Sequence, residues 1–281
     1  RFSSSYPQKL KSQPNGRLIL LTGNEAIALG KLVGGCRFQS YYPITPAADE
    51  SIFLEGHAIF RLNGGDDSGS IVVFQTEDEL AALTSATGAA LAGARAATST
   101  SGPGFSVMVE GLGWAGMNEV PVVVTLYQRG GPSTGLPTRH EQGDLRFALH
   151  AGHGEFPRIV IASGDIEEAF YDAAKAFNYA ERYQTIVIHL VDKALANSNQ
   201  TVTLDPSSVK IERGNLIGEE DVARIKAAGG EYKRFEFTPT GLSPRVKLGT
   251  KGCVHWASGD EHDELGHISE NPENRVMMMD K

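Results

Sequence analysis

The chain has 281 residues, 41% hydrophobic content and a formal net charge of −8, enough apolar material for a substantial core in one large domain with an extension or in two small ones. The acidic balance and the lack of a basic stripe argue against a nucleic-acid binder, because phosphate neutralisation needs clustered Lys and Arg. No apolar run approaches the length of a bilayer span and the N-terminus lacks a signal-peptide core, so a cytoplasmic protein is expected.

Residues 1–16, rich in Ser and Pro with almost no apolar pattern, read as a linker or flexible lead. From Arg17 the pattern alternates. Extended 18–21 precedes a helix over 25–33, extended 36–42, a helix over 47–60 and a polar Gly-Asp loop over 63–68. Extended 70–74 leads to a helix over 80–94 opened by Glu79, then extended 96–100, a turn over 101–104, a helix over 105–117 and an apolar run over 120–126. After a long glycine-rich loop come extended 158–162, an amphipathic helix over 166–183 and extended 185–191. Strand-helix alternation of this kind predicts an α/β fold, a mostly parallel sheet flanked by helices, over residues 17–197. Beyond Asn197 the pattern turns irregular, with extended stretches over 201–213 and 245–253 and a short helix over 219–228. Residues 198–281 therefore read as a peripheral arm leading to a further domain.

Three constellations carry chemistry. Glu79 stands at the start of a helix in which Ala81, Ala82, Ser85, Ala86, Gly88, Ala89, Ala90, Ala92 and Gly93 are all small, a density that permits close approach by another backbone, a subunit or a ligand. A local role competes with a functional one, since Thr76-Glu77-Asp78-Glu79 fits a capping box with Thr76 at N-cap and Glu79 reaching back from N3. The second constellation is Tyr42-Pro43-Ile44-Thr45-Pro46, where each proline stiffens the backbone and presents the Thr45 hydroxyl. Thr45 as N-cap and Pro46 at N1 would also begin the following helix. The third is the stretch from Tyr127 to His140 with Arg129 at its head, which leaves the carboxyl end of an apolar strand, where open α/β sheets bind ligands. The bland alternative for Arg129 is a surface arginine on a glycine-rich turn.

GNEAIALG (23–30), YPITP (42–46), the Glu79 helix, TSGPG (100–104) and QRGGPSTGLPT (128–138) occur in one order. That order resembles the α subunit of 2-oxoacid:ferredoxin oxidoreductases, from about residue 18 to 281. The stretch GDEHDELGHISENPENR (259–275) is similar to the archaeal and bacterial 2-oxoglutarate and broad 2-oxoacid types. The resemblance implies a fold of the thiamine diphosphate pyrimidine-binding type. Glu79 would place its carboxylate on N1′ of the aminopyrimidine and favour the imino tautomer, whose nitrogen takes the thiazolium C2 proton. Pro43, Ile44, Thr45, Ser101 and Gly102 would touch the cofactor, with Thr45 near the 2-oxoacid as well. Arg129 would receive the substrate carboxylate, which a planar two-donor fork suits. Thr138 would help orient the substrate. The implied reaction is coenzyme A-dependent oxidative decarboxylation of a 2-oxoacid such as pyruvate or 2-oxoglutarate, with electrons passed to ferredoxin.

Two absences assign the rest to a partner. Only Cys36 and Cys253 are present, too few for a four-iron four-sulfur cluster, and both read as small buried hydrophobes. No Gly-Asp-Gly element for Mg²⁺ and diphosphate occurs either. The β subunit of a heterodimer would therefore supply Mg²⁺, the diphosphate site and the cluster. His255, His262 and His267 among Asp260, Glu261, Asp263 and Glu264 match no zinc spacing and read as a solvated or interface loop, with no metal assigned. His140, His150 and His153 follow the substrate loop, and one of them could hold a proton or a carboxylate, while His57 and His189 read as structural. Two rivals remain: a cluster-free thiamine diphosphate decarboxylase or synthase, and a non-catalytic α/β assembly subunit in which Glu79 is only a cap.

Overall fold

The computed structural model describes residues 18–61 and 68–281; the lead over 1–16 and residues 63–67 of the polar loop lie outside them. In chain order the elements are β1 (Ile19–Thr22), α1 (Gly23–Val33), β2 (Phe38–Tyr41), α2 (Ala48–Gly56), β3 (Ile59–Arg61), β4 (Ser68–Ser70) and β5 (Val72–Gln75). Then follow α3 (Glu79–Leu91), β6 (Ala96–Ser101), α4 (Gly102–Met117), β7 (Val122–Gln128), α5 (Leu145–His150) and β8 (Arg158–Ala162). The chain continues through α6 (Ile166–Tyr183), β9 (Ile186–Asp192), α7 (Lys193–Asn197), β10 (Asn199–Val202), α8 (Glu219–Ala227) and α9 (Pro272–Asp280).

Six strands form one parallel sheet in the order β5-β2-β6-β7-β9-β8. The central strands β6, β7 and β9 are buried on both faces, which is why their sequences are near-continuous apolar or small runs rather than alternations. Successive β7 side chains point to opposite layers. Val122, Val124 and Leu126 join α3 and α4 through Leu83, Phe105, Met108 and Leu112, whereas Val123 joins α1, α2 and α6 through Ala28, Leu54 and Phe177. The chain is thus a helix-sheet-helix sandwich, as the alternation predicts.

Helix α6 shows why local reading succeeds where periodicity is strong. Asp165 caps its start by accepting from Glu168 N at 2.8 Å, Gln184 ends it with φ of 51°, and Ile166, Ala169, Phe170, Ala173, Ala176, Phe177 and Ala180 form its buried stripe. Helix α1 lies so close to it that a Cβ at Gly30 would sit 2.1 Å from the Phe170 carbonyl oxygen, so that position requires glycine.

Four expectations need correction. Strand β1 is outside the main sheet and pairs antiparallel with β10, Ile19 opposite Val202; Leu18 and Leu20 are exposed, and a run with only one covered face cannot be an interior parallel strand. The helix over 47–60 stops at Gly56, because Ile59 and Phe60 enter a hairpin with β4, matching their β preference. The turn over 101–104 is the first turn of α4, where Pro103 is tolerated because first-turn N–H groups have no intrahelical acceptor. Helices α5, α7 and α9 were not foreseen; each spans fewer than ten residues, too short for a clear period.

Residues beyond β10 are tied to the core at several points, with Glu119 taking Arg234 and Lys281, and one buried carboxylate gathers three guanidinium groups. Glu181 of α6, 2% exposed at its side chain, takes Arg213 at 2.6 Å, Arg245 at 3.0 Å and Arg95 at 3.4 Å. Glu181→Gln leaves three guanidinium groups without their shared counter-ion. Removing one partner of a buried pair costs about 3–5 kcal/mol, and urea unfolding should show a loss of that order. A loss below about 1 kcal/mol, the scale of exposed pairs, would mean that the arm is held by other contacts.

Candidate functional site

All six sheet strands run the same way, so their carboxyl ends open onto one edge. Tyr41 pairs with Gln75 on one side and Ser99 on the other, Ser101 with Tyr127, and Gln128 with Asp192. YPITP, the Glu79 segment, the start of α4 and the Arg129 loop therefore emerge side by side. The connection leaving β2 leads to β5 on one side, and that leaving β6 leads to β7 on the other, which makes the crevice between them the switch point where such sheets bind ligands.

Glu79 is not part of a capping box. Thr76 donates its hydroxyl hydrogen bonds toward the Tyr41 carbonyl at 3.1 Å and the Asp78 carbonyl at 2.7 Å, and Asp78 is the N-cap, accepting from Ala81 N at 2.6 Å. Asp78 has the extended backbone an N-cap needs, and Glu79 falls at N1 with its carboxylate free of capping. It is buried, 8% exposed, and burial, with a smaller contribution from Asp78, raises its pKa above 4.5. Gly104 makes room for it: a Cβ there would sit 2.4 Å from Glu79 Oε1 and 2.1 Å from Thr100 Oγ1. The small residues of α3 serve two ends. Leu83 meets Gly111 of α4, where a Cβ would approach to 2.9 Å, while Gly88 faces open space.

Thr45 is not an N-cap either. Helix α2 starts at Ala48 after Ala47, which makes no side-chain cap bond, and Ala48 N donates to the Ile44 carbonyl at 2.9 Å. The Pro46 carbonyl accepts from Asn24 at 3.3 Å. Tyr42, Pro43 and Thr45 are exposed and Ile44 is half-buried, so the segment offers its side chains outward from an anchored backbone.

Arg129 is buried at 6% exposure and is no surface arginine. Its Nη1 donates to the Thr45 carbonyl at 2.6 Å and its Nη2 to the Thr134 carbonyl at 3.2 Å. Nε has no acceptor, and burial lowers the guanidinium pKa without making it neutral at physiological pH. The loop after it folds back, with Gly130 N donating to the Arg139 carbonyl at 3.1 Å, which returns exposed Thr138 to the neighbourhood of Arg129. At the start of α4 the Ser101 hydroxyl is fully buried and unpartnered. Gly102 lies half-buried beside Asp144, whose pKa burial and Glu141 raise.

Sequence reasoning missed a buried polar cluster beneath these loops. Lys31 and Glu50 form an ion pair at 0% exposure, Tyr127 donates to the other Glu50 oxygen at 2.8 Å, and Gln39 lies 3.2 Å from Glu50, Ser51 and Ser99. Lys31 stands one turn after Ile27 on the buried stripe of α1, and a charge on an apolar stripe was the available signal.

The histidines divide differently from expectation. His189 is fully buried, bonded to Ser163 at 2.8 Å, and burial with Lys31 nearby lowers its pKa to about 3, which keeps it neutral. His57 is exposed and stacks on Phe53. His262 is not on a solvated loop: it is 3% exposed and bonded to the Met117 and Asp263 carbonyls. Among the described residues no three His, Cys, Asp or Glu side chains converge as metal ligands. His140 approaches Asp192 at 3.9 Å. His153 lines a cavity of about 1080 Å³ that lies at the amino ends of β8 and β9, away from this edge. Cys36 is buried as expected, with its pKa raised to about 11 by burial, but Cys253 is only half-buried. No helix among the described residues is long and apolar enough to cross a membrane.

Known proteins resemble this chain over most of its length. The family model described as pyruvate flavodoxin/ferredoxin oxidoreductase, thiamine diphosphate-binding, matches residues 30–281. A 2-oxoacid:ferredoxin oxidoreductase subunit alpha of Saccharolobus solfataricus is 59% identical over 95% of this chain and 42% of its own length. Subunit alpha of 2-oxoacid:ferredoxin oxidoreductase 1 of Sulfurisphaera tokodaii is 57% identical over 96% of this chain and 43% of its own length. The 2-oxoglutarate:ferredoxin oxidoreductase of Magnetococcus marinus, solved with 2-oxoglutarate, coenzyme A and succinyl-CoA bound, superposes with a TM-score of 0.84 at 39% identity, over 95% of this chain and 44% of that one. The chain thus spans less than half the length of these relatives.

Proposed function

This chain belongs to the pyruvate flavodoxin/ferredoxin oxidoreductase family, and from that premise we propose that it supplies the pyrimidine side of a thiamine diphosphate site and much of a 2-oxoacid pocket. The enzyme is a 2-oxoacid:ferredoxin oxidoreductase. Its β subunit supplies Mg²⁺, the diphosphate site and a four-iron four-sulfur cluster, and coenzyme A and ferredoxin take the acyl group and the electrons. The observation that carries the reading is Glu79, a buried acid with raised pKa and no cation paired with it among the described residues, on the same edge as Arg129, whose buried Nε has no acceptor.

These features fit the cofactor and the substrate. Thiamine diphosphate supplies, when bound, the carbon nucleophile and electron sink for decarboxylation. Glu79 holds a proton at N1′ of the aminopyrimidine, a task that a partly desolvated carboxyl performs better than an exposed one. Ser101 and Gly102 at the start of α4, and Pro43, Ile44 and Thr45 of the YPITP segment, would contact the cofactor. Arg129 still has three N–H groups beyond its two carbonyl bonds, and the edge carrying Nε can take a carboxylate side-on. Thr45 and Thr138, both exposed on the same loops, would add hydroxyls to the substrate pocket. Residues 198–281 act as the peripheral arm of this unit.

The test is reconstitution. Calorimetry on this polypeptide alone should detect little Mg²⁺-dependent binding of thiamine diphosphate. Adding the cluster-bearing β subunit should restore binding and 2-oxoacid- and coenzyme A-dependent reduction of ferredoxin. Tight, Mg²⁺-dependent cofactor binding by the single chain would overturn the shared-site reading.

A further inference from the structure

The polar cluster under the two loops is costly and has an alternative. Lys31, Glu50 and Tyr127 are buried completely, and well-packed apolar residues of similar volume are often as stabilising as a buried ion pair or more so. A satisfied buried network instead selects one geometry out of several. Its placement says which geometry. Glu50 lies on the first turn and a half of α2, five residues after Thr45, and Tyr127 lies two residues before Arg129 on the same strand line.

Two cross-links therefore join the same pair of segments. Arg129 Nη1 bonds the Thr45 carbonyl at 2.6 Å, and the Tyr127 hydroxyl bonds Glu50 Oε2 at 2.8 Å. The other Glu50 oxygen is taken by Lys31 and by Gln39 at 3.2 Å, which stops the carboxylate from rotating. Ser99 and Ser51 close the cluster at 3.2 Å from each other and from Gln39. We infer that Glu50 and Tyr127 are positioning residues that set Arg129 against Thr45, so that the guanidinium edge is presented to the substrate carboxylate in one fixed orientation. This rests on the proposed role of Arg129 in substrate binding.

The experiment is a double-mutant cycle in the assembled complex. Tyr127→Phe keeps the ring and removes the hydroxyl; KM for the 2-oxoacid should rise about tenfold, the scale of a lost hydrogen bond to a charged group, while C2-proton exchange of the bound cofactor stays at the wild-type rate. In an Arg129→Lys background the same substitution should change KM by less than about twofold, because residues acting through one another are not additive. A merely structural tyrosine would give equal effects in both backgrounds or would slow proton exchange as well, and either result overturns the positioning role. So does a wild-type KM for Tyr127→Phe. If Arg129→Lys alone leaves KM unchanged, the substrate reading of Arg129 falls and this inference falls with it; if Arg129→Lys raises KM but the two effects add, only the positioning role falls. Should Tyr127→Phe fail to assemble, Lys31→Met combined with Glu50→Leu removes both charges and the acceptor of the Tyr127 hydroxyl together. It must raise KM for the proposal to stand.

Discussion

Glu79→Gln in the assembled complex should slow C2-proton exchange of bound thiamine diphosphate by about 10²–10⁴-fold, the range over which positioned acid–base groups act, while the fold survives. The stability half of this expectation follows from where the proton sits. The folded pKa of Glu79 is raised by burial, so the protonated form is favoured in the folded state. Stability from this group is fully present below the ordinary carboxyl pKa and is lost as pH rises through the higher folded value. Above that folded value the contribution is gone, and a neutral amide avoids the loss. Against this, the amide gives up a favourable charge at the start of α3, worth about 0.3–1 kcal/mol. The two terms oppose, and the melting temperature should move little. Asp78 already caps α3 through Ala81 N, and the backbone hydrogen bond to the Glu79 carboxylate is to its own residue and lowers its pKa less than burial raises it, so capping does not depend on Glu79. Unchanged proton exchange in the mutant complex would remove Glu79 from the chemistry.

What was legible in the residues follows a physical line. Helix α6 and the strands β6, β7 and β9 were readable because their burial patterns repeat over many residues. The edge that gathers YPITP, Glu79, Ser101 and Arg129 was readable because strand-helix alternation implies a parallel sheet, and parallel strands deliver their loops to one end. The capping alternatives at Thr76 and Thr45 are not realised. A capping box needs only a Ser or Thr three residues before an acid, and Asp78, two residues further on, competes with better backbone geometry. The Lys31–Glu50–Tyr127 cluster was invisible for a different reason. Its members lie 19 and 77 residues apart, and no local pattern joins residues that meet only once α1, α2 and β7 have packed. The orphaned Arg129 Nε belongs to the same class: loop composition pointed to the residue, but only the packed chain shows which of its donors are already used.

Arg129→Ala should lower kcat/KM for every 2-oxoacid by about 2–5 kcal/mol, the cost of truncating one side of a buried hydrogen-bonded charge pair, and Arg129→Lys should fall between it and the wild type. The ordering comes from geometry. Lysine keeps the charge and can still reach one carbonyl, but it cannot donate to the Thr45 and Thr134 carbonyls while also presenting a planar edge to a carboxylate. Alanine loses the charge and leaves both carbonyls without that donor, so part of its effect reflects a loosened YPITP segment rather than a lost substrate contact. Thermal melting separates the two contributions, since the carbonyl bonds exist without substrate. Cofactor affinity should change less than kcat/KM in either mutant, because Glu79 and the start of α4 are untouched. The effect should be of similar size for pyruvate and 2-oxoglutarate, which share the carboxylate beside the reacting carbonyl and differ beyond it. Wild-type kcat/KM for both substrates in both mutants would mean that Arg129 serves only to tie the two loops together, and the carboxylate must then be met elsewhere along the strand ends.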